Sequence, residues 1–267
     1  MNPLDWKVRA GYMKDYIPLP LPFIPGWDVS GVVEAVGSSV TKFKKGDEVY
    51  ARPDVTAHGN GAYAEYVVAK ETETALRPKS IDHVHATTIP VGAVTAWRAL
   101  FDAAGLKEGQ RVLIHGAAGG VGSFAVQLGK WKGAYVIGTA SSQNQAFLKE
   151  LGVDEPVDYE KTRFEEVVRD VHVVFDPIGG ETQKRSWQTL KKGGILVSIV
   201  APPSKEEAKN MVCAPPSCPS REVQPCWPNS QHSWIRGKSN PWSRKCCRCP
   251  KPGRLTNSMR PVTLAAR

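Results

Sequence analysis

The sequence lacks features that several classes of protein require. No cysteine precedes Cys213, so neither a disulfide nor a thiolate metal site is possible in the first 212 residues. No apolar run reaches about 18 residues, which a membrane-spanning helix would need. The N-terminal segment contains no apolar signal region, so the expected compartment is the cytoplasm and no membrane partner is expected.

Acidic residues are scarce only at the C-terminal end of the chain. Residues 201–267 contain 12 Lys and Arg but 3 Asp and Glu, and they account for the whole net charge of +9. All six cysteines and 11 of the 21 prolines lie there as well. Apolar periodicity stops at about Ala208, and such a composition buries too little apolar surface to offset chain entropy. We therefore predict that 209–267 is a disordered, basic, Cys- and Pro-rich tail.

The tail allows two functional interpretations, and its composition favours neither. Cys213 and Cys218, and the Cys246–Cys249 run, lack the paired ligand spacing of zinc fingers. Basic residues mixed with Trp227, Trp234 and Trp242 are compatible with nucleic-acid binding, but no folded motif accompanies them. We expect neither a metal site nor a specific nucleic-acid partner.

A glycine-rich loop between a buried strand and a helix is the most informative stretch. Val112, Leu113 and Ile114 form an apolar run typical of a strand buried on both faces, and helical spacing of apolar residues starts at Val121. Backbone amides in this loop, at the positive end of a helix, can bind the diphosphate of a dinucleotide. The predicted cofactor-binding residues here are Ala118, Gly119, Gly120, Val121 and Gly122. A tight turn without a ligand is the alternative.

The pattern around this loop predicts an α/β protein. Before it, short alternating runs within 26–69 indicate a small, mainly antiparallel β-rich domain, which follows an extended, proline-rich segment at 1–25. A helix is expected over 88–104, and strands and helices then alternate as in a parallel sheet covered on both faces. We assign 1–90 to the first domain and 91–208 to the second.

The ordered series of motifs resembles the zinc-independent quinone oxidoreductase branch, the zeta-crystallin-like proteins, of the medium-chain dehydrogenase/reductase superfamily. The resemblance covers about residues 1–208 and rests on these stretches: Asn2–Lys7, Pro25–Gly37, Lys45–Val49, Thr88–Trp97, Ala117–Gly122 and Asp176–Gly180. It implies a Rossmann-type NADP-binding domain and a smaller GroES-like catalytic domain. Both would be incomplete, because family members usually extend further at each end.

Two departures from related zinc alcohol dehydrogenases bear on chemistry. Where those relatives have a Gly-His-Glu segment, this chain has Gly26, Trp27 and Asp28, and an indole cannot coordinate zinc. No metal is therefore expected. The resemblance also implies homo-oligomers, because relatives often pair through the edge of the nucleotide-binding sheet. That edge is not expected in this chain, so the sequence leaves the oligomeric state open. The abrupt composition of the tail suggests an out-of-frame segment.

Cofactor choice depends on the end of the second strand of the nucleotide unit. No acid occurs there before Glu150, whereas Ser141 and Ser142 can donate hydrogen bonds to a 2′-phosphate, so the sequence favours NADP(H) over NAD(H). The resemblance adds Tyr159 to this site. The alternative is that the serines only cap the next helix. Asp176, at the carboxyl end of a strand, is a further cofactor candidate, although capping of the next helix is favoured.

The resemblance also supplies candidates for the reaction. It places Asn2 and Lys7 on the substrate side and Thr95 beside the nicotinamide; Asn2 and Lys7 could stabilise negative charge on an acceptor oxygen. The alternatives are a turn residue for Asn2 and a solvated charge for Lys7. The only proton-donor candidates are Tyr12, Tyr16, Tyr63 or water. His115 is interpreted as structural, because no acid or nucleophile accompanies it.

The sequence thus predicts an NADPH-dependent oxidoreductase that reduces quinones or activated enones and aldehydes without zinc. The competing hypothesis is a truncated, non-enzymatic protein that binds NADPH, since the same glycine loop would serve both.

Overall fold

The computed structural model describes residues 2–15, 19, 21–55 and 61–200 and the strand Val262–Ala266. The described chain forms two compact units, divided between Val91 and Gly92, with Val262–Ala266 belonging to the first. This division lies one residue from the expected domain boundary.

The strands, in chain order, are β1 (Val29–Val36), β2 (Glu48–Ala51), β3 (Tyr66–Ala69), β4 (Thr74–Leu76), β5 (Arg111–Ile114), β6 (Tyr135–Ala140), β7 (Glu155–Asp158), β8 (Val171–Asp176), β9 (Leu190–Ser198) and β10 (Val262–Ala266). The α-helices are α1 (Pro3–Arg9), α2 (His83–Ala86), α3 (Ile89–Trp97), α4 (Gly122–Trp131), α5 (Gln145–Glu150), α6 (Phe164–Val167) and α7 (Gly180–Ser186). A π-helical stretch, Arg98–Ala103, continues α3, so the expected helix over 88–104 is present. None of the helices in the described ranges is long and apolar enough to span a bilayer.

The first unit is built on a mixed five-stranded sheet in the order β3-β10-β1-β2-β4. β2 is antiparallel to β1 and to β4, whereas β10 is parallel to both β1 and β3. Buried side chains on one face form its core: Val29, Val33, Val49, Ala51, Val67 and Ala69. The expected mainly antiparallel unit is therefore corrected to a mixed sheet.

The strand β10 also corrects the expectation of a disordered 209–267. Val262–Ala266 pairs on both edges, with β1 and with β3, so its backbone groups have partners in two strands. Val-Thr-Leu-Ala-Ala is a short apolar run that suits a pleated sheet, but the surrounding composition concealed it. The rest of the tail, with all its cysteines and tryptophans, lies outside the described residues.

The prolines predicted that the N-terminal segment 1–25 is extended, but the structure forms the helix α1 within it. Pro3 occupies the first position of α1, where a missing N–H costs nothing. Asn2 and Asp5 form a reciprocal capping box around it: the Leu4 amide donates to Asn2 Oδ1 and the Asn2 amide donates to Asp5 Oδ2.

The second unit contains a wholly parallel sheet in the order β7-β6-β5-β8-β9. Helices connect successive strands, and apolar side chains from four of the strands, including Leu113, Ile137, Val174 and Leu196, are fully or almost fully buried. The chain proceeds from β5 outward to β7 and then returns to place β8 on the other side of β5. The carboxyl ends of β5 and β8 therefore flank a topological switch point, where ligands bind in such sheets. The predicted Rossmann-type fold class with a smaller β-rich domain is confirmed.

Candidate functional site

The glycine loop lies at the switch point of the second unit. It connects the fully buried strand β5 to α4, and its first amides are fixed by the neighbouring strands: His115 N–H donates to Phe175 O, and Ala117 N–H donates to Thr139 O. Gly116 has a φ of +55°, a left-handed conformation that glycine adopts without steric cost. The sheet therefore holds the beginning of the loop rigidly.

The close approach of the loop to itself requires glycine at Gly122 and leaves little room for a side chain at Gly119. A Cβ atom at Gly122 would overlap the carbonyl oxygen of Gly116 and would lie 2.9 Å from the Ala117 Cα. A Cβ at Gly119 would lie 3.1 Å from the same oxygen of Gly116. At Gly120, by contrast, a Cβ would meet nothing within 4 Å, because that position faces open space.

The open face of the loop presents backbone donors. The amides of Gly119 and Ser123 are used internally, on Gly116 O at 2.8 Å and Gly119 O at 2.9 Å. Within the described ranges no acceptor is found for the amides of Gly120 and Val121, which precede the first residue of α4. Gly119 and Gly120 are exposed, while Ala118 and Val121 are half-buried. Free amides at the positive end of a helix, with no side chain in the way, fit a diphosphate.

Helix α3 packs against this loop and positions Thr95. A Cβ at Gly92 would lie 3.0 Å from the Phe124 ring and 3.1 Å from Gly120 O, so the helix backbone approaches the loop closely. Thr95 lies three residues further along and therefore on the same side of α3. It is half-buried, which agrees with the predicted place beside the cofactor without testing it.

Of the two serines after β6, Ser142 is hydrogen-bonded to acidic side chains at and after the end of β7, and Ser141 to Asn144. Ser142 Oγ donates to Asp158 Oδ2 at 2.5 Å, and the Ser142 amide donates to Glu160 Oε2 at 2.9 Å. The Ser142 hydroxyl holds the pKa of Asp158 below its usual value. Ser141 is buried, and its Oγ accepts from Asn144 Nδ2 at 2.9 Å. Tyr159 is 56 % exposed beside them.

Asp158 and Glu160 were missed by sequence reasoning, which looked for an acid only in the chain directly after β6. They come from the end of β7, which pairs with β6 through Ala140 and Asp158. Consecutive strands of an alternating pattern commonly pair in a parallel sheet, so the available signal was that the end of β7 follows directly in the chain order.

Asp176 fixes the turn between β8 and α7 in this structure, and the N-cap of α7 is Gly179. Its Oδ1 accepts hydrogen bonds from the amides of Ile178 and Gly179 at 2.9 and 2.8 Å, and its Oδ2 accepts from Gln183 Nε2 at 2.9 Å. The side chain is completely buried. Both oxygens are thus engaged in holding the turn before α7 and the Gln183 side chain, whereas the capping role that the sequence favoured would require a bond to an amide of the first helical turn.

His115 is a buried structural residue. Its Nδ1 lies 3.1 Å from Thr139 Oγ1 and its Nε2 lies 2.8 Å from Ser186 Oγ, so both ring nitrogens have partners. Burial lowers the pKa of His115 to about 4, which keeps the ring neutral at physiological pH.

In the first unit, Asn2 belongs to a network of carboxyl groups. Besides capping α1, the Asn2 side chain hydrogen-bonds the carboxyl group of Asp28. Asp5 is buried, and its Oδ2 accepts from Tyr63 OH at 3.0 Å. Among the described residues its Oδ1 has no hydrogen-bond partner. Lys7 is half-buried, with its ammonium 5.9 Å from the ring centre of Trp6.

Asp28 is the most perturbed carboxyl group of this network. Burial raises its pKa to about 6, although the Val91 amide donates to its Oδ1 at 2.7 Å and Asn2 also favours the charged form. Burial and the nearby Asp5 charge raise the pKa of Tyr63 to about 12, so this phenol holds its proton firmly. Tyr12 is 69 % exposed, and Tyr16 lies outside the described residues.

The described part of the chain contains no group of three or more His, Cys, Asp or Glu side chains arranged to hold a metal ion. Trp27, which stands where the zinc enzymes have histidine, is 2 % exposed.

Comparison with known proteins gives consistent matches to both units. The Alcohol dehydrogenase GroES-like domain family matches residues 1–79, and the Zinc-binding dehydrogenase family matches residues 120–236. The chain is 36% identical over 214 residues to the Quinone-oxidoreductase homolog, chloroplastic, of Spinacia oleracea, covering 76% of this chain and 64% of the relative. It is 38% identical over 212 residues to the NADPH-dependent alkenal/one oxidoreductase, chloroplastic, of Arabidopsis thaliana, covering 76% and 54%.

Solved structures agree with the sequence comparisons. The quinone oxidoreductase from Coxiella burnetii superposes with a TM-score of 0.67 at 35% identity, covering 79% of this chain and 68% of that one. The quinone oxidoreductase of Pseudomonas syringae pv. Tomato DC3000 gives a TM-score of 0.70 at 32% identity, covering 79% and 67%. The chain spans from 49% to 64% of the length of the first three curated relatives it matches.

The loop geometry predicts opposite effects of two alanine substitutions. Gly122→Ala places a methyl group against the Gly116 carbonyl and is expected to destabilise the protein by about 2 kcal/mol or more, whereas Gly120→Ala, in open space, changes stability by less than about 0.5 kcal/mol. Urea unfolding followed by circular dichroism measures both. Equal stability of the two variants would contradict the described loop.

The raised pKa of Asp28 predicts a pH-dependent stability difference. Because the folded-state value of about 6 exceeds the ordinary 3.8, the stabilisation from its protonation is complete below pH 3.8 and is lost as the pH rises through about 6. Between pH 4 and pH 8, wild type should therefore lose up to about 3 kcal/mol of unfolding free energy that Asp28→Asn does not lose. The exposed Asp15→Asn variant is the matched control, and its unfolding free energy should change with pH as that of wild type does. Urea unfolding at both pH values measures the difference. An equal loss of stability in Asp28→Asn and wild type would contradict the prediction.

Proposed function

The chain belongs to the zinc-independent quinone oxidoreductase branch of the medium-chain dehydrogenase/reductase superfamily, and on that premise we propose that it reduces quinones, or activated enones and aldehydes, with NADPH. The observation that carries the proposal is the loop at the switch point, where the amides of Gly120 and Val121 are open and glycine is required at Gly122. When bound, the nicotinamide ring supplies a hydride.

The second unit provides the residues that would hold the cofactor. The diphosphate would be bound by the loop backbone, at Ala118, Gly119, Gly120, Val121 and Gly122. Thr95, which α3 carries on the side that packs on this loop, would line the nicotinamide end. Asp176 would contribute indirectly, because its carboxylate is committed to the Gly179 amide and the Gln183 side chain beside the same switch point.

The first unit would polarise the acceptor. Lys7 would stabilise the negative charge that develops on a carbonyl oxygen, and the Asn2 amide would donate a hydrogen bond to the same oxygen. Asn2 is a positioned group, because its Oδ1 is fixed by the Leu4 amide and its side chain also bonds the Asp28 carboxyl group. With a pKa of about 6, the Asp28 carboxyl group beside Asn2 could give up or take a proton near neutral pH. The phenol of Tyr63, with a pKa of about 12, is a weaker proton donor.

We infer a preference for NADPH over NADH. Support comes from the segment directly after β6, which has Ser141 and Ser142 instead of an acid, and from the name of the Arabidopsis relative, which is NADPH-dependent. Asp158 opposes this preference, since its carboxylate accepts from Ser142 and would repel a phosphate. Lys161, whose ammonium lies 3.4 Å from Asp158 Oδ2, offsets part of that charge.

Location and assembly stay predictions. A cytoplasmic location was inferred from the N-terminal residues, but similar proteins carry the words chloroplastic and mitochondrial in their names. Homo-oligomers are common in the family, and the assembly state of this chain stays a prediction.

The proposed function predicts turnover that depends on Lys7. NADPH consumption with a panel of quinones and enones should be measurable for the full chain, and Lys7→Ala should lower kcat about a hundredfold because a cationic stabiliser is lost. Lys14→Ala, an exposed lysine of the same unit, is the control and should retain wild-type turnover. NADPH binding, followed by fluorescence, should be unchanged in both; binding by wild type without any turnover would instead favour the non-enzymatic alternative.

The inferred cofactor preference predicts the effect of Asp158→Asn. Removal of this carboxylate should tighten NADPH binding by about tenfold and leave NADH binding nearly unchanged, because only NADPH carries the 2′-phosphate. Fluorescence titration with the two cofactors measures this, with Asp154→Asn at the other end of the same strand as control. Tighter NADH binding, or no change for either cofactor, would argue against a phosphate beside Ser142.

A further inference from the structure

A cavity opens at the amino-terminal edge of the parallel sheet of the second unit. Its volume is about 330 Å³, which lies at the lower end for small-ligand sites. Polar residues from three places line it: Gln110 before β5, His172 in β8, and Lys191 and Lys192 in β9. The glycine loop leaves the carboxyl end of β5, so this cavity is at the opposite edge of the sheet.

The cavity arises from an interruption in strand pairing. Val171 pairs with Leu190 and Val173 pairs with Ile195, so residues 191–194 are accommodated opposite His172 alone. Gly193, with a φ of +77°, allows the chain to turn there. The excess residues carry Lys191 and Lys192 to the edge of the cavity around the histidine.

The hydrogen bonds of His172 fix its tautomer. The backbone amide of Arg111 donates to His172 Nδ1 at 3.2 Å, and an amide nitrogen can only donate. Nδ1 therefore carries no proton, and in the neutral ring the proton is on Nε2. The ammonium of Lys191 lies 3.2 Å from this Nε2. Two donors thus face one another, and the arrangement lacks the acceptor that would satisfy both.

The charges around the cavity are of one sign. No acidic side chain is among its lining residues, whereas Lys191 and Lys192 both are. The guanidinium of Arg111 is offset by Glu155, at 3.6 Å. Burial, with added repulsion from Lys191 and Arg111, lowers the pKa of His172. An anion that bridges Nε2 of His172 and the ammonium of Lys191 would accept hydrogen bonds from both. Its negative charge would offset the repulsion between the ammonium and a protonated His172.

We propose that this cavity, framed by His172, Lys191 and Lys192, is a binding site for a phosphoryl group. A phosphate offers several acceptor oxygens to the His172 and Lys191 donors, and its charge matches the lysines. The volume leaves room for a phosphate ester as well as for the free ion. The site is independent of the proposed reductase activity, because it shares no residue with the glycine loop.

The test uses the NMR titration of His172 in the full chain, with its resonance assigned by comparison with His172→Gln. Inorganic phosphate and glycerol phosphate are added separately, against sodium chloride of equal ionic strength. Either phosphoryl compound should raise the pKa of His172, and chloride should raise it less. If inorganic phosphate raises the pKa at the lower concentration, the natural ligand is the free ion. If glycerol phosphate does, the natural ligand is a phosphate ester.

Matched variants separate a site from general charge screening. Lys191→Gln should weaken the response to phosphate about tenfold, whereas Lys132→Gln, an exposed lysine of the same unit, should leave it unchanged. Equal responses to phosphate and chloride, or an undiminished response in Lys191→Gln, would overturn the proposal. Since the signal comes from His172 itself, binding of phosphate at the glycine loop does not imitate it, and the outcome is separate from that of the NADPH assays.

Discussion

The contact between the Gly116 carbonyl and Gly122 is the constraint on which the candidate cofactor site depends. Only a hydrogen atom fits between them, so the chain turns from β5 into α4 within a few residues. The turn leaves the amides of Gly120 and Val121 without an acceptor among the described residues, at the point where the strand order reverses. A bulkier residue would widen the turn and misdirect those donors. The chemistry proposed for the protein therefore begins with a steric limit on one pair of backbone groups.

The two units contribute different kinds of polar group. The second unit offers backbone amides and buried, fully bonded side chains such as His115 and Asp176. The first unit instead contains perturbed carboxyl groups: burial raises the pKa of Asp28 to about 6, and one oxygen of Asp5 is buried without a partner among the described residues. Rigid satisfied groups suit the binding of a cofactor, whereas perturbed groups suit proton movement.

The sequence predicted what is local and missed what arises between strands. The glycine loop, the parallel sheet and the boundary near Val91 follow from short-range patterns. The acidic partners of Ser142 come from the neighbouring strand β7, so a reading along β6 alone did not find them. The pKa of Asp28 is likewise a product of burial, which depends on the folded packing. The helix α1 was missed because prolines were weighed over 1–25 as a whole, although Pro3 stands at a position where proline favours a helix start.

The position of β10 has a consequence for how the first unit folds. Gly31 pairs with Val262, and β10 alone joins β3 to the rest of its sheet among the described strands. Pairing of β1 with β10 closes a long loop of the chain. The entropic cost of closure grows by only about 0.6 kcal/mol per doubling of loop length, but the large separation in sequence slows the formation of this pairing. The parallel sheet of the second unit pairs strands that are much nearer in the chain. It can therefore assemble first, before β10 pairs with β1 and β3 and completes the other sheet.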